Sequence, residues 1–168
     1  MSCYRCIAWG RGSRKYCPNC RQKDPVRIPD KTILFIRTPH TEEEMTRMDG
    51  SLERFKGMYR SIRILTSPKE KPREIARSLM TFFNVTEMTT IDGLAPPSGK
   101  LKRSTVTSIV PDKPEDALYI LITHEPQCEI ALEEYSRSLA GRSNPDRRHV
   151  ARGRIVQVDV TRRAVYLL

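Results

Sequence analysis

The chain has 168 residues, a formal net charge of +10 and 38% hydrophobic residues. This length accommodates one domain of about 130 residues and a small appendage, and it excludes a second large domain. The sequence contains no apolar stretch long enough for a signal sequence or a membrane span, so we expect a soluble, cytoplasmic protein without a membrane partner.

The basic residues are concentrated at the two ends of the chain. Residues 1–30 hold seven Lys and Arg against two Asp, and residues 137–168 hold eight Arg against two Asp. The middle of the chain is almost balanced in charge. Any electrostatic attraction to nucleic acid is therefore expected at the ends, although a solubilising surface explains the same charges equally well.

Four cysteines near the start of the chain form two C-x2-C pairs separated by ten residues: Cys3, Cys6, Cys17 and Cys20. Each pair suits a tight turn, and four thiolates complete the tetrahedral shell of one Zn²⁺ ion. Because a closed shell has no open position for water or substrate, we expect a structural zinc site. The sequence predicts a zinc ribbon or knuckle over residues 1–24, followed by a linker over residues 25–31. Basic residues around Trp9 and Tyr16 in this module suit nucleic acid, and docking on protein is an equal alternative.

Residues 32–168 predict one α/β domain in which strands alternate with helices. The predicted strands are 32–37, 62–66, 86–90 and 117–123, and residues 154–160 and 164–168 form a hairpin. Helices are predicted to begin after Thr41, after Ser67-Pro68 and at Pro126, whereas residues 93–104 resemble a mobile loop. This alternation predicts a three-layer sandwich, in which helices cover both faces of a mainly parallel sheet that ends in a C-terminal β-hairpin.

Polar residues follow the four predicted parallel strands. Arg37 ends the first strand, Lys71 follows the second, Asp92 the third and His124 the fourth. Ligands of such sheets bind at the carboxyl ends of the strands, so we expect Arg37, Lys71 and His124 to converge. A cluster of cationic donors is suited to a phosphoryl group. A hydrogen-bonded structural histidine and a solvated lysine are the alternatives.

Three stretches, ILFIRTPHT, ILTSPKEKPREIA and LYILITHEP, resemble in order and spacing the motifs of the histidine phosphatase superfamily, which contains phosphoglycerate mutases and phosphohistidine phosphatases. The likeness covers residues 32–168 and is greatest to the small phosphohistidine phosphatases. It implies that Arg37 and His124 hold phosphoryl oxygens and that Lys71 replaces a second arginine. It also implies that Thr38 stands in the position of the attacking histidine, and that Glu125 replaces a glycine and would repel a phosphate.

A threonine hydroxyl is a poor nucleophile unless a base activates it. The resemblance therefore predicts a catalytically impaired domain whose residual anion pocket, including Thr38, recognises a phosphate-bearing ligand or a phosphoprotein. One alternative is an active phosphohydrolase in which His40 attacks, with Arg37, Lys71 and His124 around it and Asp92 as a candidate acid.

A second alternative is nucleic-acid binding through the zinc module and the Arg-rich C-terminal region. No pattern in the sequence indicates an oligomeric state. Cys128, in the first turn of a predicted helix, is either a reactive thiolate or a buried inert thiol, and we expect the latter.

Overall fold

A computed structural model describes residues 2–3, 27–28, 30–95, 102–140 and 149–168. Two short strands, β1 (Ser2–Cys3) and β2 (Arg27–Ile28), pair in antiparallel fashion. The zinc module was predicted over residues 1–24, and of its four cysteines only the backbone of Cys3 is among the described residues. Because Cys6, Cys17 and Cys20 lie outside them, the zinc site stays a prediction.

A six-stranded sheet forms the centre of the domain. Its strands in chain order are β3 (Lys31–Arg37), β4 (Ser61–Thr66), β5 (Met88–Thr90), β6 (Ala117–Thr123), β7 (Ile155–Asp159) and β8 (Ala164–Leu167). Their order in space is β5-β4-β6-β3-β7-β8. The first four of these are mutually parallel, whereas β7 runs antiparallel to β3 and forms a hairpin with β8.

Strands β3 and β6 lie side by side in the middle of the sheet, and every residue of both is buried. Their continuous apolar sequences suit this position, because a parallel strand covered on both faces buries the side chains of both its faces. The prediction of a mainly parallel sheet with a terminal hairpin is confirmed.

Four α-helices cover the sheet: α1 (Glu42–Leu52), α2 (Glu70–Phe83), α3 (Arg103–Ser108) and α4 (Gln127–Ala140). Short 3₁₀ helices lie at Glu53–Phe55 and Asp92–Leu94. The predicted start of α1 is correct, since Thr41 and Glu44 form a reciprocal capping box. Helix α2 ends at Asn84, whose φ of 55° is the left-handed conformation that commonly stops a helix.

The two faces of the sheet carry separate apolar cores, because successive side chains of a strand point to opposite faces. On one face Leu34 and Ile36 pack with residues of α1 and α2, such as Leu52 and Leu79. On the other face Phe35 packs with residues of α3 and α4. The predicted three-layer sandwich is therefore observed.

Several boundaries differ from the sequence prediction: β4 begins one residue earlier, at Ser61, β5 begins two residues later, at Met88, β7 is one residue shorter at each end, and β8 ends one residue earlier. Strand β3 begins one residue earlier, at Lys31, whose ammonium group donates to the carbonyls of Pro111 and Lys113 and is thus accommodated in a largely buried position. Helix α3 begins within the stretch that was predicted to be a loop. It has six residues, of which only Val106 is buried, so its apolar pattern is too short to show a helical period. None of the described helices has the length and apolar character needed to cross a membrane.

Candidate functional site

The carboxyl ends of β3, β4 and β6 meet at one edge of the sheet, which we call the carboxyl edge. Arg37 at the end of β3 pairs in register with Thr123 of β6, and Thr66 of β4 pairs with Ile122. Since these strands are parallel and adjacent, the residues that follow them emerge close together. Thr38 and His124, both predicted to belong to the site, lie at this edge.

Arg37 is buried, with 8% of its surface exposed, and protein groups surround its guanidinium. Nη2 donates to a carboxylate oxygen of Glu125 at 2.6 Å, and Nη1 donates to the carbonyl of Val150 at 2.5 Å. Nη1 also lies 2.8 Å from Nε2 of His149 and 3.7 Å from Glu129 Oε1. The arginine that was expected to face an open anion pocket thus forms ion pairs with two carboxylates of its own chain.

The residues around Arg37 form a compact group that the sequence analysis did not assemble. Nδ1 of His149 is 3.7 Å from Glu125 Oε1 and 3.6 Å from Glu129 Oε1, and the three ligand atoms lie within 4.8 Å of one another. The Val150 backbone N–H donates to Glu129 Oε1 at 3.0 Å and fixes that carboxylate. With a neutral imidazole, Arg37, Glu125 and Glu129 sum to a formal charge of −1. The four-residue spacing of the two glutamates, one just before α4 and one in its first turn, was visible in the sequence, but nothing there pointed to His149.

Thr38 stands where the resemblance places the attacking group, and its side chain is buried. Its hydroxyl donates a hydrogen bond to the carbonyl of Thr123, and its backbone N–H donates to the same oxygen at 2.9 Å. The hydroxyl proton is therefore held by a neutral carbonyl, which is not a base that could remove it. In this arrangement Thr38 is a structural residue at the junction of β3 and β6.

His124 directly follows β6 and is half-buried. Its Nδ1 lies 3.2 Å from the carbonyl oxygen of Glu125, and its Nε2 is buried without a hydrogen-bond partner among the described residues. Burial, followed by the positive charge of Lys69, lowers the pKa of His124. The neutral imidazole is thus favoured, which makes His124 a weaker phosphate ligand than an imidazolium would be.

The remaining predicted residues lie in more exposed surroundings. Lys71, in the first turn of α2, is half-exposed and pairs with Glu74 at 3.2 Å. His40 is exposed, and its backbone N–H donates to the Glu44 carboxylate at 2.6 Å. Asp92 is exposed in its 3₁₀ helix. Across the described part of the chain, no hydrogen bond or ion pair connects any of these three side chains with Arg37 or His124.

Cys128 is fully buried in α4, with its sulfur 3.2 Å from the hydroxyl oxygen of Thr123. Burial raises the pKa of the Cys128 thiol to about 12, so the thiolate is scarce at neutral pH. The expected inert thiol is what the structure contains.

No family model and no curated protein matches the sequence. Solved structures do match. A phosphoglycerate mutase from Plasmodium falciparum superposes with a TM-score of 0.58 at 16% identity, over 83% of this chain and 89% of the other. A protein from Agrobacterium tumefaciens, described as the phosphohistidine phosphatase SixA, superposes with a TM-score of 0.56 at 16% identity, over 79% of this chain and 93% of the other. The chain therefore has a histidine-phosphatase-like fold.

Proposed function

We propose that this domain recognises a phosphate-bearing ligand or a phosphoprotein at the carboxyl edge and does not hydrolyse it efficiently. The observation that carries the proposal is the hydrogen bond from the Thr38 hydroxyl to the Thr123 carbonyl, at the position that the resemblance assigns to the attacking histidine. Phosphoryl transfer to a hydroxyl requires a base that accepts its proton, and no described base contacts Thr38. The domain thus combines the fold of a phosphatase with a position that lacks a competent nucleophile.

Anion recognition is supported by the basic groups that surround this edge. Arg37 provides a guanidinium held in place by the Val150 carbonyl, and Lys69 lies near enough to His124 to perturb its pKa. Lys71 is two residues further along the chain and is exposed. The two lysines are exposed, so solvent screens them and each contributes at most about 1 kcal/mol to holding an anion, whereas Arg37 can do so only where the anion displaces Glu125.

Glu125 opposes the binding of an anion in the arrangement observed here. Its carboxylate takes one donor of Arg37, but its side chain is 53% exposed and so is free to turn toward solvent. An entering phosphate would replace one charge-assisted hydrogen bond with another and would interact with the nearby lysines as well. We therefore expect weak to moderate affinity, limited by the displacement of Glu125.

The test compares the melting temperature of the protein with and without inorganic phosphate and a phosphoserine peptide. A ligand that binds only the folded state raises the melting temperature. Glu125→Gln should enlarge this shift because it removes the competing carboxylate charge, and Lys69→Ala should reduce it. Glu43→Gln, which changes an exposed carboxylate on α1, serves as the control and should leave the shift unchanged.

The absence of efficient chemistry is tested separately. We expect no turnover of phosphohistidine or p-nitrophenyl phosphate above the uncatalysed rate. Turnover that disappears in His124→Ala would contradict the proposal, and a phosphoenzyme labelled on His40 would establish the alternative phosphohydrolase. The described contacts of His40, which lie at the cap of α1, do not favour that alternative.

The zinc module and nucleic-acid binding remain separate proposals. One Zn²⁺ per chain, lost when Cys17 and Cys20 are replaced by serine, would support the predicted structural site. Binding of nucleic acid through the basic ends should weaken steeply as salt increases.

A further inference from the structure

Glu125, Glu129 and His149 form a group whose side chains could hold a cation. Two carboxylates outweigh the single charge of Arg37, so these described groups, counted with a neutral imidazole, sum to a formal charge of −1. We call these three residues the Glu-Glu-His cluster. It combines oxygen and nitrogen donors, which is the ligand set of many divalent transition-metal sites and distinguishes it from an ordinary group of surface acids.

The separations within the cluster are close to those required by one ion. Ligands at about 2.0–2.2 Å from a tetrahedral or octahedral ion lie roughly 3.0–3.5 Å apart. His149 Nδ1 is 3.7 Å from Glu125 Oε1 and 3.6 Å from Glu129 Oε1. These two distances are slightly longer than one shell requires, and the three ligand atoms lie within 4.8 Å of one another, so the exposed side chains of Glu125 and His149 would have to rotate toward a shared ion.

The cluster also has an anchored side and an open side. Glu129 is three-quarters buried, and its Oε1 is fixed by the Val150 N–H while its buried Oε2 has no partner among the described residues. The side chains of Glu125 and His149 are 53% and 64% exposed. An ion would thus approach from solvent toward the fixed carboxylate of Glu129, and the exposed side chains of Glu125 and His149 would turn to bind it.

Arg37 borders the cluster and competes for its donors. Its Nη2 contacts Glu125 Oε2, whereas the oxygen of Glu125 that faces His149 is Oε1. One oxygen of Glu125 therefore remains available to an ion while the other holds the arginine. Nη1 of Arg37 lies 3.3 Å from His149 Nδ1, so His149 must turn its ring outward to coordinate. Its exposure permits that movement.

We propose that Glu125, Glu129 and His149 bind one divalent transition-metal ion through Oε1, Oε1 and Nδ1, with solvent in the remaining positions. A purely structural ion-pair network around Arg37 is the competing explanation. The two differ in what they predict for added metal, because an ion-pair network alone predicts no saturable binding of an ion.

Mn²⁺ in phosphate-free buffer is the probe, because carboxylate and imidazole donors accept it whereas the thiolates of the predicted zinc module prefer softer ions. Electron paramagnetic resonance measures the concentration of unbound Mn²⁺ while the zinc-loaded full chain is titrated into the solution. We expect saturable binding of one Mn²⁺ per chain. His149→Ala and Glu129→Gln should each weaken it by about tenfold or more, since even indirect partners of a metal ligand contribute about tenfold.

Two matched controls replace the same residue types outside the cluster. His40→Ala removes an exposed histidine, and Glu43→Gln removes an exposed carboxylate. Both should bind Mn²⁺ as the unmodified protein does. Circular dichroism melting confirms that His149→Ala, a change at an exposed side chain, is folded.

No saturable Mn²⁺ binding by the unmodified protein would overturn the proposal, and so would binding that His149→Ala leaves unchanged. Because this experiment contains no phosphate, its result is independent of the proposed anion recognition.

Discussion

The turn that carries Gly153 provides a quantitative test of how the carboxyl edge is held together. Gly153 has a φ of +72°, a left-handed conformation that other residues rarely adopt. Its N–H donates to the carbonyl of Arg37 at 2.9 Å, and the Arg37 N–H donates to the carbonyl of Arg154 at 3.1 Å. The turn therefore attaches the segment after His149 to the end of β3.

A side chain at position 153 has no room. A β-carbon built there would lie 2.5 Å from the backbone oxygen of Glu44 and 3.1 Å from its carbonyl carbon. The left-handed conformation costs a non-glycine residue about 1–2 kcal/mol. Overlap in a packed region adds about 1–3 kcal/mol. Gly153→Ala should therefore lower the free energy of unfolding by about 3 kcal/mol, which corresponds to a fall of about 10 °C in melting temperature for a domain of this size.

Two other glycines separate the two contributions. Gly57 has a similar φ of +69° but no atom within 4 Å of its added β-carbon, so Gly57→Ala should show the conformational cost alone, about 1 kcal/mol. Gly50 lies inside α1 with the same free space, and Gly50→Ala should stabilise the protein by about 0.5–1 kcal/mol. Urea unfolding at 25 °C measures all three. A loss in Gly153→Ala no larger than that in Gly57→Ala would refute the steric part of the reasoning.

Four further outcomes are expected. Thr41→Ala should reduce the free energy of unfolding in urea by about 1 kcal/mol, because the Thr41 side chain caps the Glu44 N–H. Iodoacetamide should not label Cys128 in the folded protein at about pH 8, because the thiol is buried. Peptide mapping should find Cys128 labelled once about 8 M urea has unfolded the chain. Burial, with a hydrogen bond to Glu115, raises the pKa of Tyr119 to about 12, and burial raises that of Tyr135 to about 12. The stability linked to these phenols is complete below their unfolded pKa of about 10 and is lost as the pH rises toward 12. In a titration followed by the ultraviolet absorbance of tyrosinate, both side chains should therefore ionise at a higher pH than a free tyrosine. Glu115→Gln should lower the pKa of Tyr119 and leave that of Tyr135 unchanged. Finally, if both proposed sites exist, Mn²⁺ should enlarge the rise in melting temperature that a phosphoserine peptide causes, because the ion adds positive charge beside Arg37. A rise of the same size with and without Mn²⁺ would exclude this coupling.

Local patterns were sufficient to predict most of the architecture. The run ALYILIT predicted the strand observed at Ala117–Thr123, and the threonine followed by three acids predicted the start of α1. Both signals depend on residues adjacent in sequence: an apolar run for a strand buried on both faces, and a cap with acids at a helix amino terminus. The short helix α3 was not predicted, because a helix with a single buried residue shows no repeating pattern of apolar positions.

The surroundings of the candidate site depended on contacts that no local pattern contains. The amino-acid pattern was enough to predict that Arg37 ends a buried strand and that His124 follows another, and the family resemblance places Thr38 at the position of an attacking histidine. The contacts of Arg37 with Glu125, Glu129 and His149 could be seen only in three dimensions, because residues separated by 88 to 112 positions come together when β3, β6 and the segment before β7 pack side by side. The charge of a site is a sum over neighbours in space, so a basic residue in a motif does not fix the sign of the pocket that it faces.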